Sequence, residues 1–519
     1  MLGSRGLNWG MCIALFLGGC TSTPDQGLRE PSYALPNTNE SVIAQSIAPR
    51  KAAHPELSGF QLLTDGLDAF VARAILAERA DHSIDAQYYL YHGDRVGKLL
   101  TSLLIDAADR GVRVRLLVDD MALDTGDTGA IALDAHPNIE VRIFNPFFRS
   151  APRAAQFVAR FGSVTRRMHN KSFTVDNQIT VVGGRNIGDE YFNADASLIF
   201  GDLDVVAIGP VVEDVSASFD LYWNHRLAYP IESLALSSAP GSLVAQARKN
   251  LMSFRADQAD SDYLNALRNS DLSKTLRQDG LAYHWGQGTV VFDDPEKITS
   301  SRQRKDLHLV TQLQKHTSGI EKDLIIYSPY FVPGKKGVSW LAGLRDRGVR
   351  VRILTNSLAS TDVSVVHAGY ARYRKALLRA GVELWEFDNK LTREQRKSMK
   401  GTSGSSKASL HSKSFVIDNK KVFIGSLNID PRSIVENTEI GIVIESPELA
   451  AQMTRLFEKD ITDLAFRLEL TKGKYGGEKL IWHGLEDGVS QIYTSEPNAG
   501  FWRRVGVNFL RWLPIESQL

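Results

Sequence analysis

Strand-like and helix-like periods of apolar residues follow one another along most of the chain, twice in the same order. SIDAQYYLY (83–91) reads as a strand. ADRGVRVRLLVDD (108–120) reads as the end of an amphipathic helix, a glycine turn and a strand of alternating Val and Arg, and IEVRIFN (139–145) as a further strand. The succession returns as DLIIYSPYF (323–331), RDRGVRVRILTNS (345–357) and VELWEFD (382–388). After each set comes nearly the same octapeptide, HNKSFTVD (169–176) and HSKSFVID (411–418). Helices alternating with β-branched strands predict α/β domains whose mixed sheets are flanked by helices. The copies lie too far apart for a solenoid. The pattern therefore predicts two similar domains, 56–230 and 321–500, joined by helices and loops over 231–320. TREQRKSMKGTSGSSKASL (392–410) reads as a polar loop entering the second octapeptide. FWRRVGVNFLRWLP, within the amphipathic C-terminal segment 501–519, reads either as a docked terminal helix or as a segment at a membrane interface.

The N-terminal residues break this pattern. Arg5 precedes the short apolar run MCIALFLGG (11–19), which predicts a signal peptide over 1–19, too short to span a bilayer. The run ends in Leu17-Gly18-Gly19-Cys20, which resembles the lipobox of bacterial lipoproteins. That resemblance implies that Cys20 is lipidated and that the protein is held in the cell envelope facing the periplasm. Thr21, where an Asp would favour inner-membrane retention, implies the outer membrane. The Pro-, Ser-, Thr- and Asn-rich stretch after it predicts a flexible tether within 20–55. With only Cys12 and Cys20 in the sequence, the mature chain has no disulfide and no cysteine chemistry. Lys and Arg total 61 against 60 Asp and Glu, a balance that argues against a nucleic-acid partner.

The repeated octapeptide carries the chemistry. Residues two apart in a strand share a face, so His169 points with Lys171, and His411 with Lys413. Asp176 and Asp418 fall at the following turn with opposite parity, which predicts a supporting role. Across each hairpin, Gly184 and Asn186 share a face, as do Ser426 and Asn428. Imidazoles, ammoniums and carboxamides together, with one hydroxyl, make a donor-rich positive pocket suited to phosphate, with Asn186, Ser426 and Asn428 as phosphate-binding candidates. Two imidazoles can divide a displacement at phosphorus, one attacking while the other protonates the leaving oxygen. No metal is expected, because each His neighbours a Lys whose charge repels a cation.

At these residues the chain resembles the phospholipase D superfamily, whose signature is HxKxxxxD followed by GG or GS and an Asn. RRMHNKSFTVD, VVGGRNIGDEYF, DLDVVAIGPVVEDV, ILTNSLASTDVSVVHAGYARYRKALL and FIGSLNIDPRS resemble its bacterial cardiolipin synthases, over roughly residues 55–515. The resemblance implies two α/β domains in pseudo-twofold arrangement with the site on the seam. It implies His169, Lys171, Asp176, His411, Lys413 and Asp418 as the catalytic set, a phosphohistidine intermediate and no cofactor. It also implies phosphatidyl transfer between membrane phospholipids, with phosphatidylglycerol and either a second copy of it or phosphatidylethanolamine as partners. His169 is the implied nucleophile and His411 the general acid. A carboxylate orienting each His is implied too, and alignment of FGDLDVVAIG (200–209) with VENTEIGIVI (435–444) offers Asp204 and Glu439. Hydrolysis at the same site, or lipid binding without turnover, are the alternatives. Asn356, Ser357 and His367 beyond a strand end are further candidates. So is the Phe- and Arg-rich stretch 144–167, as a headgroup-binding surface or a core helix with a basic face.

Overall fold

The computed structural model describes residues 29–122, 127–150, 152–160, 162–194, 198–234, 241–278, 281–389, 407–473, 476–486 and 489–512. The first half contributes β1 (Ser58–Leu63), β2 (Ser83–Tyr88), β3 (Arg113–Asp119), β4 (Ile139–Phe144), β5 (Ser172–Val175), β6 (Ile179–Gly183), β7 (Leu198–Gly201), β8 (Asp204–Ile208) and β9 (Ala228–Pro230). After β10 (His284–Phe292), the second half contributes β11 (Asp323–Tyr327), β12 (Arg350–Asn356), β13 (Glu383–Phe387), β14 (Lys407–Leu410), β15 (Ser414–Ile417), β16 (Lys421–Gly425), β17 (Ile440–Glu445), β18 (Ala465–Lys472), β19 (Glu478–Glu486) and β20 (Val489–Tyr493). One sheet runs β1–β8–β6–β5–β2–β3–β4–β9. The other runs β10–β17–β16–β15–β11–β12–β13–β18, extended by β19 and β20. Within each, β2–β3–β4 and β11–β12–β13 are parallel and the remaining pairs antiparallel. The two predicted α/β domains are thus present with one strand order.

The repeated RG step has a backbone reason. Gly111 (φ +97°) and Gly348 (φ +85°) end the helices Arg95–Asp109 and Gly334–Asp346 in the left-handed region, turning the chain into β3 and β12. Arg95–Asp109 covers one face of the first sheet and Gly334–Asp346 one face of the second. The facing sides meet: Leu62 and Val205 of one sheet share a buried core with Val416 and Ile442 of the other. The helices Val211–Trp223 and Pro447–Asp463 pack into it, so the halves form one body.

Two parts of the expected layout differ. The connection 231–320 is not only helices and loops, because β10 pairs with β1 at one end and β17 at the other, and hydrogen-bonds the two sheets together. Its glycines hid it from a propensity reading, yet they are required. A Cβ on Gly286 would sit 2.3 Å from the Glu445 carbonyl oxygen, and one on Gly288 2.8 Å from the Phe60 ring. From Arg29 on, the stretch expected as a tether is docked on the body. Arg29 donates to the carbonyls of Asn224 (2.9 Å), His225 (2.6 Å) and Ala228 (3.1 Å), and the helix Val42–Ala53 buries Ile43 and Ile47 in the first core. Ser32 and Thr38, polar residues that read as tether, are hydrogen-bonding partners of this docking, accepting from Trp223 (2.9 Å) and Gln178 (3.0 Å). The signal and Cys20 lie outside the described residues, as does most of the loop 392–410.

The turn aspartates sit where strand parity put them. Asp176 and Asn177 (both φ 52°), and Asp418 (φ 52°) and Asn419 (φ 53°), form paired left-handed turns. The Asp176 carboxylate accepts from the backbone N–H of Asp81 (3.1 Å), His82 (2.7 Å) and Ser83 (2.9 Å), fixing the start of β2. Asp418 does the same for Glu321, Lys322 and Asp323 before β11. Asp176→Ala orphans three donors, at a cost of roughly 1–3 kcal/mol or more. The expected result is a melting point lowered by several degrees with turnover per folded molecule retained; a normal melting point with no turnover would contradict this role.

Candidate active site

Each motif histidine is carried on a segment hydrogen-bonded to the opposite half. The His169 N–H donates to the Thr438 carbonyl (2.8 Å), and the Thr438 N–H to that of Arg167 (2.9 Å). The His411 N–H donates to the Gly201 carbonyl (2.8 Å), directly after β14 has run parallel to β7. Asn356 holds this segment, accepting from the Leu410 N–H (3.0 Å) and donating to its carbonyl (2.8 Å). The consequence is a reciprocal exchange. His169 Nδ1 meets Glu439 Oε2 of the second half at 2.8 Å, and His411 Nδ1 meets Asp202 Oδ2 of the first half at 2.5 Å.

Glu439 is therefore placed as expected, and Asp204 is not. Asp204 lies in β8, paired with Arg73 (2.9 Å) and Arg185 (3.5 Å), and Asp202 takes the place beside His411. The sheet register explains the slip of two residues. Gly183 pairs with Asp204 where Gly425 pairs with Gly441, so the counterpart of Glu439 is Asp202.

The difference between Gly184 and Ser426 follows from these two carboxylates. A Cβ on Gly184 would lie 2.2 Å from Asp202 Oδ1, because the short Asp side chain hugs the hairpin backbone. Ser426 instead donates its hydroxyl to Glu439 and accepts from the Ile440 N–H (3.1 Å). Expected among the phosphate ligands, this hydroxyl is committed to the carboxylate. Gly184→Ser, which would make the two motifs alike, is expected to push Asp202 off His411. Turnover should drop by about tenfold or more, read as kcat at an unchanged melting point.

The other expected residues also gather here. Lys171 Nζ donates to the His169 carbonyl (2.5 Å), and Lys413 Nζ lies 3.0 Å from His411 Nδ1. Asn186 accepts from the Leu90 N–H (3.2 Å) and donates to the Tyr191 hydroxyl (2.9 Å), whereas buried Asn428 leaves its Oδ1 without a partner among the described residues. Sequence reasoning missed the aromatic walls. Tyr89 stands edge-on to His169 (5.0 Å between ring centroids), and Tyr191 (5.2 Å) and Phe200 (5.0 Å) flank His411. Tyr89 lay within SIDAQYYLY, where an aromatic reads only as strand propensity.

Three weaker expectations fall away from the chemistry. Ser357 bonds Ser360 (3.1 Å), and His367 is buried against Arg374 and Glu496. In the Phe- and Arg-rich stretch, Phe147 and Phe148 are buried. Arg149, Arg166 and Arg167 pair with Asp120, Glu436 and Asp119, so those charges are structural; Phe161 lies outside the described residues.

The two sides differ electrostatically. Burial pushes Glu439 up to about 7, against the pull of Lys171. Burial, with Lys171 and Lys413, drives His169 well below the ordinary imidazole range. Burial also raises Asp202, but His411, Lys413 and Arg185 outweigh it and hold this carboxylate well below its usual range. Burial and Lys413 lower His411 while Asp202 supports its protonated form. Lys413 is pushed down to about 8 by burial, against Asp202 and Glu439. Both imidazoles are thus lowered by burial, and the two sides differ in the carboxylate each faces, Glu439 raised and Asp202 lowered. Among the described residues, no cluster of three or more His, Cys, Asp or Glu side chains could hold a metal ion.

The family described as "Cardiolipin synthase, PLD-like domain" matches the chain twice, over residues 75–223 and 312–461. Cardiolipin synthase C of Escherichia coli (strain K12) is 43% identical over 476 residues, covering 91% of the chain and 99% of that protein. A cardiolipin synthase of Staphylococcus aureus (strain Mu50) is 25% identical over 84% of the chain and 72% of its own length. The crystal structure of phosphatidylserine synthase from Haemophilus influenzae Rd KW20 superposes with a TM-score of 0.53 at 13% identity, a likeness of fold alone. It covers 81% of this chain and 92% of that one.

Proposed function

We propose a function from one premise: the chain belongs to the family of PLD-like cardiolipin synthases. It is a phospholipase D-type phosphatidyltransferase that acts on phospholipids at the bacterial membrane. In our reading it moves a phosphatidyl group onto phosphatidylglycerol and so forms cardiolipin. The observation that carries this is the pair of buried imidazoles, each anchored through Nδ1 by a carboxylate of the opposite half.

With Nδ1–H donated to ionised Glu439, His169 keeps its Nε2 lone pair free for attack. Nε2 attacks the donor phosphorus, a P–N bond forms, and the P–O bond to the headgroup breaks as His411 gives its proton to the leaving oxygen. His411 then takes the proton of a phosphatidylglycerol hydroxyl. That oxygen attacks phosphorus, the P–N bond breaks, and cardiolipin leaves with His169 restored. Lys171, Lys413 and Asn428 stabilise charge on the non-bridging oxygens. Transfer requires the alcohol to outcompete water, and the burial of both histidines supports that. Lipidation at Cys20 would anchor the chain in the envelope, facing the periplasm from the outer membrane.

The test is incubation in chelator with phosphatidylglycerol and phosphatidylethanolamine, followed by lipid analysis. Cardiolipin is the expected product. Phosphatidic acid with free headgroup would make the protein a hydrolase, and no turnover would leave only a lipid-binding role. Omitting each lipid in turn identifies the phosphatidyl donor.

A further inference from the structure

The helix Phe501–Leu510 presents two unlike faces. At 100° per residue, Phe501, Trp502, Val505 and Phe509 fall within an arc of about 100°. They are exposed by 66%, 81%, 44% and 66%, and Trp512 just beyond by 88%. Single exposed apolar side chains are ordinary on a protein surface, but a contiguous aromatic face is not. The opposite face is docked. Val507 is buried with Leu358 and Ala368, and Arg503 donates to the carbonyls of Ala359 (3.3 Å) and Thr361 (2.5 Å) and to the Ser364 hydroxyl (3.2 Å).

That docking braces a segment tied to the strand before His411, because Ser360 donates to Asn356 (2.9 Å), which accepts from the Leu410 N–H (3.0 Å). The segment held by Arg503 follows the C-terminal end of β12 and carries Asp362, an exposed residue that accepts from the Tyr330 hydroxyl (2.6 Å). Asp362 is close enough to His411 and Lys413 for its charge to favour their protonated forms.

We propose that Phe501, Trp502, Val505, Phe509 and Trp512 form the surface by which the protein seats on an anionic phospholipid bilayer, holding the adjoining segment that carries Asp362 against the lipid surface. Residues 501–512 contain no acid, and beside the docked Arg503 they carry Arg504 and Arg511, a charge complementary to anionic headgroups. Trp and Phe are the side chains that settle at the headgroup boundary. Among the described residues no helix is long and apolar enough to cross a membrane, so this segment lies on the surface. The proposal rests on the phospholipid-transferring reading and adds which face meets the lipid.

Two measurements on the full chain test it. First, vesicles of phosphatidylglycerol with brominated acyl chains should quench the tryptophan fluorescence of the wild type, and the Trp502→Phe/Trp512→Phe variant should lose that quenching. Equal quenching of both proteins would overturn the proposal. Second, Trp502→Ser/Phe509→Ser should slow turnover of phosphatidylglycerol vesicles by about tenfold, with the rate on monomeric dihexanoyl phosphatidylglycerol unchanged. Equal loss on both substrates would make the helix only a brace for that segment. A variant that dissociates a dimer in the absence of lipid would make the face a self-association surface. Should the wild type turn over neither substrate, the transferase reading fails while the quenching comparison still decides this one.

Discussion

A chain carrying His411→Ala turns over no phospholipid, yet it releases one equivalent of p-nitrophenol from a phosphatidyl p-nitrophenyl ester and then stops. A glyceryl or ethanolamine alkoxide cannot leave without a proton, so losing the general acid costs ~10²–10⁴ in rate. The p-nitrophenolate leaves unprotonated, so attack by His169 needs no help from the second histidine. The return step does, because the acceptor hydroxyl has lost its base, and the phosphatidyl group stays on His169. His169→Ala gives no burst with either ester. The proposed assignment is consistent with the partners: burial lowers both imidazoles, His169 the more strongly, and only His411 has an ionised carboxylate, Asp202, offsetting that pull toward its protonated form. Burst amplitude and the mass of the His169 peptide are the readouts. A burst from His169→Ala would exchange the roles, and none from either variant would remove the covalent step.

The next largest effects fall on Asp202 and Glu439. Asp202→Asn keeps a hydrogen-bonding group beside His411 Nδ1 but removes the charge, with an expected loss of roughly 10²–10⁴ in kcat. Because that charge supports protonated His411, the alkaline limb of the rate profile should move to lower pH. Glu439 acts on the acid limb. Its carboxyl, raised to about 7, must be ionised to accept Nδ1–H and leave Nε2 open, so turnover rises as pH increases through about 7. Glu439→Gln removes that titration, and the variant should be slow with no limb near 7. An unchanged limb in Glu439→Gln would assign it to another group. The sign for stability is opposite. A carboxyl raised in the folded state binds more protons there than in the unfolded chain, so Glu439 costs stability as pH rises from about 4.5 to 7.

Much of this arrangement could be read from the sequence, because it is built from a repeated pattern. The paired triplets of strands and the turn aspartates follow from periodicity and parity, and the structure has them where that reasoning put them, whereas His169–Lys171 and His411–Lys413 precede the strands Ser172–Val175 and Ser414–Ile417 instead of lying in them. The orienting acid of His411 could not be chosen this way. Asp202 and Asp204 share a parity, and only the pairing of Gly183 with Asp204 distinguishes them. Nor does periodicity reveal that each acid serves the other half, since that depends on β7 meeting β14 across the molecule. β10 escaped because its glycines answer to neighbouring backbone rather than to strand propensity.

The exchange of carboxylates also sets an order in time. Glu439 follows His169 by 270 residues, which a ribosome adding ~5–20 residues per second takes roughly 15–55 s to reach. Until then the growing chain has its nucleophile without the anion that activates it. A chain cut short before Glu439 is expected to be chemically silent, so on the proposed mechanism membrane lipids meet the reaction only after both halves have been made.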